Sequence, residues 1–190
     1  MKNTELMRVL TNLGWSVSKD EAGDTSCIMT MNEITLRLLP SVRKRPDHFR
    51  VSWGASVSLI AFSEVVNEIY NGRNKHTPVI VKNSIPEKIK QLTTDDIIRL
   101  TNNEITWAKE QNIEAGLKNY RNFPTSSKGT RPIRHLAALA LNGDVDKLSY
   151  YIDRFNNGVR LGLRLGFVPY IKLEMIDAAL IIAKQKNKNA

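Results

Sequence analysis

The 190-residue sequence predicts an α+β protein. It reads as an N-terminal antiparallel sheet of three to five strands with flanking helices, followed by an all-helical C-terminal subdomain. Three observations support this. Phe49, Val51, Trp53, Ala55 and Val57 alternate with Arg50, Ser52, Gly54, Ser56 and Ser58, the period of a half-buried strand. From Thr93 onward the apolar residues recur at helical spacing instead. Asn32-Glu33, Asn71-Gly72 and Asn142-Gly143 mark turns between the periodic segments. Helices set against an antiparallel sheet make an α+β layer. The expected division is a sheet subdomain over residues 1–90 and a helical one over 93–186, joined in one compact unit.

In chain order, Leu6, Val9, Leu10 and Leu13 place a helix over Glu5–Leu13 that stops at Gly14. Trp15–Ser18 alternates as a strand, and Lys19–Asp24 is a polar turn. Strands are expected at Cys27–Met31 and Ile34–Leu38, then a break over Pro40–Pro46, then one long strand at Phe49–Ser58. Leu59–Tyr70 turns helical, with Phe62, Val65, Val66 and Ile69 on one side. Thr77–Val81 is a short strand whose proline suits an edge or a strand start.

Thr93 and Asp96 form a near capping box, which opens a long helix expected to run to Tyr120. Asn122-Phe123-Pro124 ends it, and Phe123–Gly129 is a loop. Thr130 and Pro132 begin the next helix, with the stripe Ile133, Leu136, Ala137, Ala140 and Leu141. After Asn142-Gly143, Asp144 caps a helix with the stripe Val145, Leu148, Ile152 and Phe155. A last helix starts near Pro169 and carries Leu173, Ile176, Ala179, Leu180 and Ala183. Thr130, Pro132, His135, Ala138, Gly143 and Leu148 loosely resemble an ankyrin unit. The sequence has no second copy, and solenoids need several, so an ordinary pair of helices packed on the long helix is expected.

Composition narrows the function classes. Hydrophobic residues at 42% and charged residues at 25% suit a packed core. A single cysteine, Cys27, excludes a disulfide framework and favours a reducing, cytoplasmic setting. No signal peptide or membrane span is visible. Lys and Arg outnumber Asp and Glu by 28 to 19, a net charge of +9, so nucleic acid, acidic proteins and anionic surfaces all come into view.

The positive charge is concentrated. Between Glu114 and Asp144 there is no acidic residue, while Lys118, Arg121, Lys128, Arg131 and Arg134 are basic and Tyr120 and Phe123 are interleaved. Such a segment suits the acidic surface of a protein. It also suits nucleic acid, whose phosphates the cations would neutralise and whose bases the rings would stack. Arg43-Lys44-Arg45 with Arg50 is a second basic spot. In Gly158–Gly166, Arg160 and Arg164 recur at glycine spacing. A tight helix connector is the favoured reading there, and an anion-binding loop the alternative.

Catalytic signals are weak. His48, His76, His135 and Cys27 lack metal-ligand spacing, so no metal or cofactor is expected, and His135 can approach Asp144 or Asp146 across the turn. No nucleophile-elbow, zinc-protease or kinase motif is present. The element order of the first half resembles small bacterial binding proteins such as secretion chaperones and toxin-immunity proteins. The sequence therefore favours a soluble, non-enzymatic binding protein that engages an acidic macromolecule, a protein in preference to nucleic acid, through Lys118–Arg134. An enzyme acting on an anionic small molecule near Arg160 and Arg164 is the second alternative.

Overall fold

The computed structural model describes residues 3–19, 24–72, 78–127, 129–159 and 171–188. It shows the α+β architecture: a five-stranded antiparallel sheet, a second three-stranded sheet, flanking helices, and an all-helical C-terminal region. The chain forms two units. The first comprises Met1–Leu59 and Val79–Asn112, the second Ile60–Pro78 and Ile113–Ala190.

The first unit holds α1 (Asn3–Asn12), β1 (Ser16–Lys19), β2 (Thr25–Met31), β3 (Ile34–Leu38), β4 (Ser41–Lys44), β5 (Phe49–Ser52) and β6 (Ala55–Leu59). From its second segment it adds β7 (Val81–Asn83), β8 (Glu87–Ile89) and α3 (Thr94–Lys109); α2 (Ile60–Ile69) belongs to the second unit. The large sheet runs in the order β1-β2-β3-β6-β7, all antiparallel. The register Cys27–Leu38, Leu36–Val57 and Ala55–Asn83 puts these residues on one face. Cys27, Leu36, Leu38, Ala55 and Val57 are all buried there. α1 packs against β1 and α3, and α3 against β6.

The alternating run Phe49–Ser58 is not one strand. It breaks at Trp53-Gly54, so that β5 joins a small sheet ordered β4-β5-β8 while β6 stays in the large one. The expected break over Pro40–Pro46 contains β4, and the chain from β3 to β4 turns the same corner at Leu39-Pro40. The corner is tight: the Leu39 amide donates to Trp53 O at 2.6 Å. Gly54 has φ +50°, and a Cβ there would stand 3.3 Å from both Leu39 Cβ and Leu39 O. Period-two alternation survives such a corner because each half remains a strand, so periodicity alone does not reveal it.

Two further strand expectations are corrected. The edge strand lies at Val81–Asn83 rather than Thr77–Val81, with Thr77 outside the described residues, and β8 is a strand the sequence reading lacks.

The long helix expected from Thr93 to Tyr120 is two helices. α3 starts on a capping box: the Asp96 amide donates to Thr93 Oγ1 at 3.2 Å, and the Thr93 amide to Asp96 Oδ2 at 3.0 Å. It stops at Lys109. Gln111 Nε2 donates to Trp107 O at 2.7 Å, taking a carbonyl the next turn would need. The stripe Ile97, Leu100, Thr101, Glu104 and Ala108 is buried. Its next positions fall on Gln111 and Asn112, both polar, and a new phase opens at Ile113 with Leu117 and Tyr120 in α4 (Ile113–Arg121). The phase slip coincides with the passage from the first unit to the second.

The second unit packs α2, α4, α5 (Arg131–Asn142), α6 (Val145–Asn156) and α7 (Leu173–Lys188). α5 is central, in contact with α2, α4, α6 and α7, and is buried on nearly every side from Pro132 to Ala140. Neither Thr130 nor Asp144 makes the expected side-chain cap; Asp144 Oδ1 instead accepts from Asn142 Nδ2 at 2.9 Å. Gly143, between α5 and α6, has φ +73°, and Asn187 Nδ2 of α7 donates to its carbonyl at 3.0 Å.

The corner predicts the effect of a single methyl group. Gly54→Ala must hold a left-handed backbone against Leu39, and it is expected to lower unfolding stability in urea by about 1–2 kcal/mol. A loss below a few tenths would mean that the corner relaxes without strain.

Candidate interaction surface

The acid-free segment runs through α4, the loop after it and the start of α5. In α4 the burial of Leu117 and Tyr120 turns Lys118 and Asn119 to solvent. Tyr120 is not an exposed stacking platform. Its side chain is in the core, its ring centroid 5.5 Å from that of Phe62 and 5.0 Å from that of Phe123. Phe123 is half-buried.

The arginines are arranged on this aromatic pair. Arg134 Nη1 donates to Tyr120 Oη at 3.1 Å, with the guanidinium 6.0 Å from that ring's centroid. Arg131, exposed at the start of α5, lies 5.7 Å over the Phe123 ring. Arg121 points elsewhere: its side chain is 14% exposed and pairs with Glu114, the acid that begins the acid-free stretch. Lys118 is exposed. Lys128, Arg160 and Arg164 lie outside the described residues. The segment therefore brings Arg131 and Arg134 together over Tyr120 and Phe123, while Arg121 is engaged within its own helix.

Two residues that matter here were not among the expected site. Lys147 of α6 donates through Nζ to Arg121 O at 3.0 Å. It adds a cation where the carbonyl end of α4 favours one. No local spacing links positions 26 apart, so nothing in the sequence signals it. The other is His135, 1% exposed. Its Nδ1 is 2.8 Å from Tyr120 O and its Nε2 3.0 Å from Tyr151 Oη. A carbonyl only accepts, so Nδ1 bears the proton and Nε2 accepts from the Tyr151 hydroxyl. The hydrogen bonds of His135 thus go to α4 and α6, and Asp144 is only a weak charge neighbour. The run HLAALAL was the available signal, since a helix apolar on all sides buries any polar residue it contains.

Burial drives the His135 pKa down from 6.5 to about 4, and the Tyr151 hydroxyl up to about 12. Elsewhere, burial pushes the Cys27 thiol up to about 11, which makes it a poor nucleophile. It also raises the carboxyl of Glu104, which accepts from Asn83 Nδ2 at 3.3 Å. Among the described residues no three His, Cys, Asp or Glu side chains gather to hold a metal, and no helix is long and apolar enough to cross a membrane.

A family model matches residues 2–184. The chain belongs to the DUF6990 family. That family is described as one of unknown function. No curated protein and no solved structure matches the chain significantly. In this DUF6990 chain the second basic spot lies apart from the α4–α5 surface in sequence and unit: Arg43 and Arg50 stand on β4 and β5.

The buried histidine gives this surface an acid limit. The unfolded chain takes up a proton near pH 6.5, whereas the folded His135 does so only near pH 4. Stability contributed by the neutral ring is present above pH 6.5 and lost as pH falls toward 4, a change on the order of 3 kcal/mol. Asp96, whose carboxyl is held low chiefly by its bond with Thr93, contributes its loss at lower pH. Denaturant unfolding from pH 7 to 4 should show this limb in the wild type, and His135→Gln should flatten it. An unchanged slope would mean that His135 is not the titrating group.

Proposed function

We propose that this protein is a non-enzymatic binding protein that engages an acidic protein partner through the α4–α5 surface. One observation supports this above the rest: two cations of the acid-free segment, Arg131 and Arg134, are held in place before any partner arrives. Arg131 rests on Phe123, and Arg134 is bonded to Tyr120. A guanidinium already ordered loses less side-chain entropy on binding, and its remaining N–H donors match a carboxylate fork. Lys118 and Lys147 extend the positive field that steers an acidic surface.

A protein is preferred to nucleic acid because of the rings. Single-stranded nucleic acid binding draws on free aromatic faces, and here Tyr120 is buried against Phe62 and Phe123 while Arg131 covers Phe123.

The arrangement also selects the variant. Charge reversal at Arg121 or Arg134 would break a salt bridge or a hydrogen bond within the unit, whereas Lys118 and Arg131 are exposed and Arg131 gives up only its contact with the Phe123 ring. Lys118→Glu/Arg131→Glu should lower unfolding stability by no more than about 0.5–1 kcal/mol, the scale of the lost Arg131–Phe123 contact, and bind the captured acidic partner at least about tenfold more weakly, with most of the change in association rate and salt dependence. Equal capture of every protein by both forms would refute the reading. Salt-sensitive binding of DNA or RNA that the variant loses would transfer it to nucleic acid.

A further inference from the structure

The small sheet carries a different kind of basic site. Register places Arg43 opposite Arg50 on β5, and Arg50 opposite Lys88 on β8. One residue away, Val42 is opposite Val51, and Val51 opposite Glu87. Val51 and Ile89 are buried, while Arg43, Arg50 and Lys88 are exposed. Side chains alternate across a strand, so the three cations form a row on the outer face. Ser41 and Ser52, also opposite each other, share that face. Ser52 Oγ lies 3.3 Å from Ser84 Oγ. Ser41, Arg43, Arg50, Ser52, Ser84 and Pro86 line a groove of about 290 Å³.

Like charges directly opposite one another destabilise a sheet. Among the described residues neither Arg43 nor Arg50 pairs with a carboxylate. The acids of this sheet are occupied: Glu87 forks onto Arg99 at 3.2 and 2.6 Å, and Asp47 bonds to His48 at 2.7 Å and meets Lys88 only as a weak charge neighbour. The hydroxyls add donors to the same space. Where Ser52 and Ser84 share one proton, the second hydroxyl proton is left for a ligand.

We propose that this groove binds the phosphoryl group of a phosphomonoester. The two guanidiniums that line the groove offset a dianion, and Lys88 at the end of the row adds to the positive field without lining the groove. The serine hydroxyls with the arginine forks supply donors for the dianion's three terminal oxygens. A carboxylate has two oxygens and one charge, and would leave most of the row unmatched. The volume lies at the small end of ligand sites, enough for a phosphoryl group and a compact carrier. Among the described residues no aromatic side chain lines it, so base stacking has no part in the proposal. The site uses first-unit residues alone and does not depend on the function proposed for the α4–α5 surface.

The test uses the full chain at low ionic strength. Inorganic phosphate should raise the melting temperature of the wild type saturably at millimolar concentration, beyond chloride of matched ionic strength. Arg50→Gln should melt no lower than the wild type without phosphate, because it relieves the row, and should lose the phosphate response. Ser52→Ala/Ser84→Ala should retain the fold and weaken phosphate binding several-fold, while Lys118→Glu/Arg131→Glu should respond as the wild type does. Calorimetric titration then separates the sources: a phosphoserine peptide binding at least tenfold more tightly than phosphate assigns the site to a peptide-borne group, and equal or weaker peptide binding assigns it to a free phosphorylated small molecule. A phosphate response no greater than that of chloride, or one unchanged in Arg50→Gln, overturns the proposal. So does a glutamate peptide that binds as well as its phosphoserine counterpart.

Discussion

The second unit depends on one buried imidazole. His135 sits on the central helix and reaches the Tyr120 carbonyl near the end of α4 with one nitrogen and the Tyr151 hydroxyl of α6 with the other. Each bond satisfies a group whose burial would otherwise cost about 1–3 kcal/mol, and together they fix the helix that presents the basic segment. Tyr120 is shared between the two systems. Its backbone oxygen accepts from His135, its hydroxyl accepts from Arg134, and its ring packs on Phe62 and Phe123. The charged surface is thus a continuation of the core: the side chains that order the arginines are those that fill the interior.

The first unit rests on a steric constraint instead. Because Gly54 can adopt φ +50° next to Leu39, a long two-stranded ribbon folds across itself, and its outer half leaves the large sheet. β8 then completes the three-stranded sheet. Without the corner, Arg43 and Arg50 would remain a two-residue ribbon pair, and Lys88 would not join their row. The buried face of Val51 and Ile89 fixes the register. Core packing on one side therefore enforces charge repulsion on the other.

These constraints also mark where sequence reading stops. The α+β order, the period-two run and the presence of α5 and α6 were legible because each depends on residues within a few positions of one another. The buried faces of those two helices were not, since α5 is buried on nearly every side and α6 buries Tyr151 where Ile152 was expected. The corner at Gly54 was not, because alternation continues through it and the deciding contact is with Leu39. The end of α3 was legible in principle: Gln111 and Asn112 fall where the stripe of Ala108 should continue, a slip that counting apolar residues overlooks. Of the basic segment, composition identified the cations and not their geometry. It did not separate Arg121, paired with Glu114, from Arg131, resting on Phe123. Nor did it show Lys147 arriving from α6, because that contact is made by the packing of helices.

The two basic surfaces answer salt in opposite senses, and this follows from how their charges are held. On α5 Arg131 and Arg134 are ordered by rings and a hydroxyl, which salt hardly affects, so ions act there mainly by screening the attraction to the acidic partner proposed for this surface. On β4, β5 and β8 the cations face one another within the folded chain, so ions that screen them relieve repulsion and favour the fold itself. Raising ionic strength should thus loosen association at one surface while steadying the sheet beneath the other. A multivalent anion can do at the sheet what simple salt cannot, because it places compensating charge within the row rather than around it. Placing that charge needs donors as well as cations, and Ser41, Ser52 and Ser84 supply them in the same groove. The proposed phosphoryl site rests on those hydroxyls beside Arg43 and Arg50 as much as on the charge, because the cations alone would only attract an anion without orienting it.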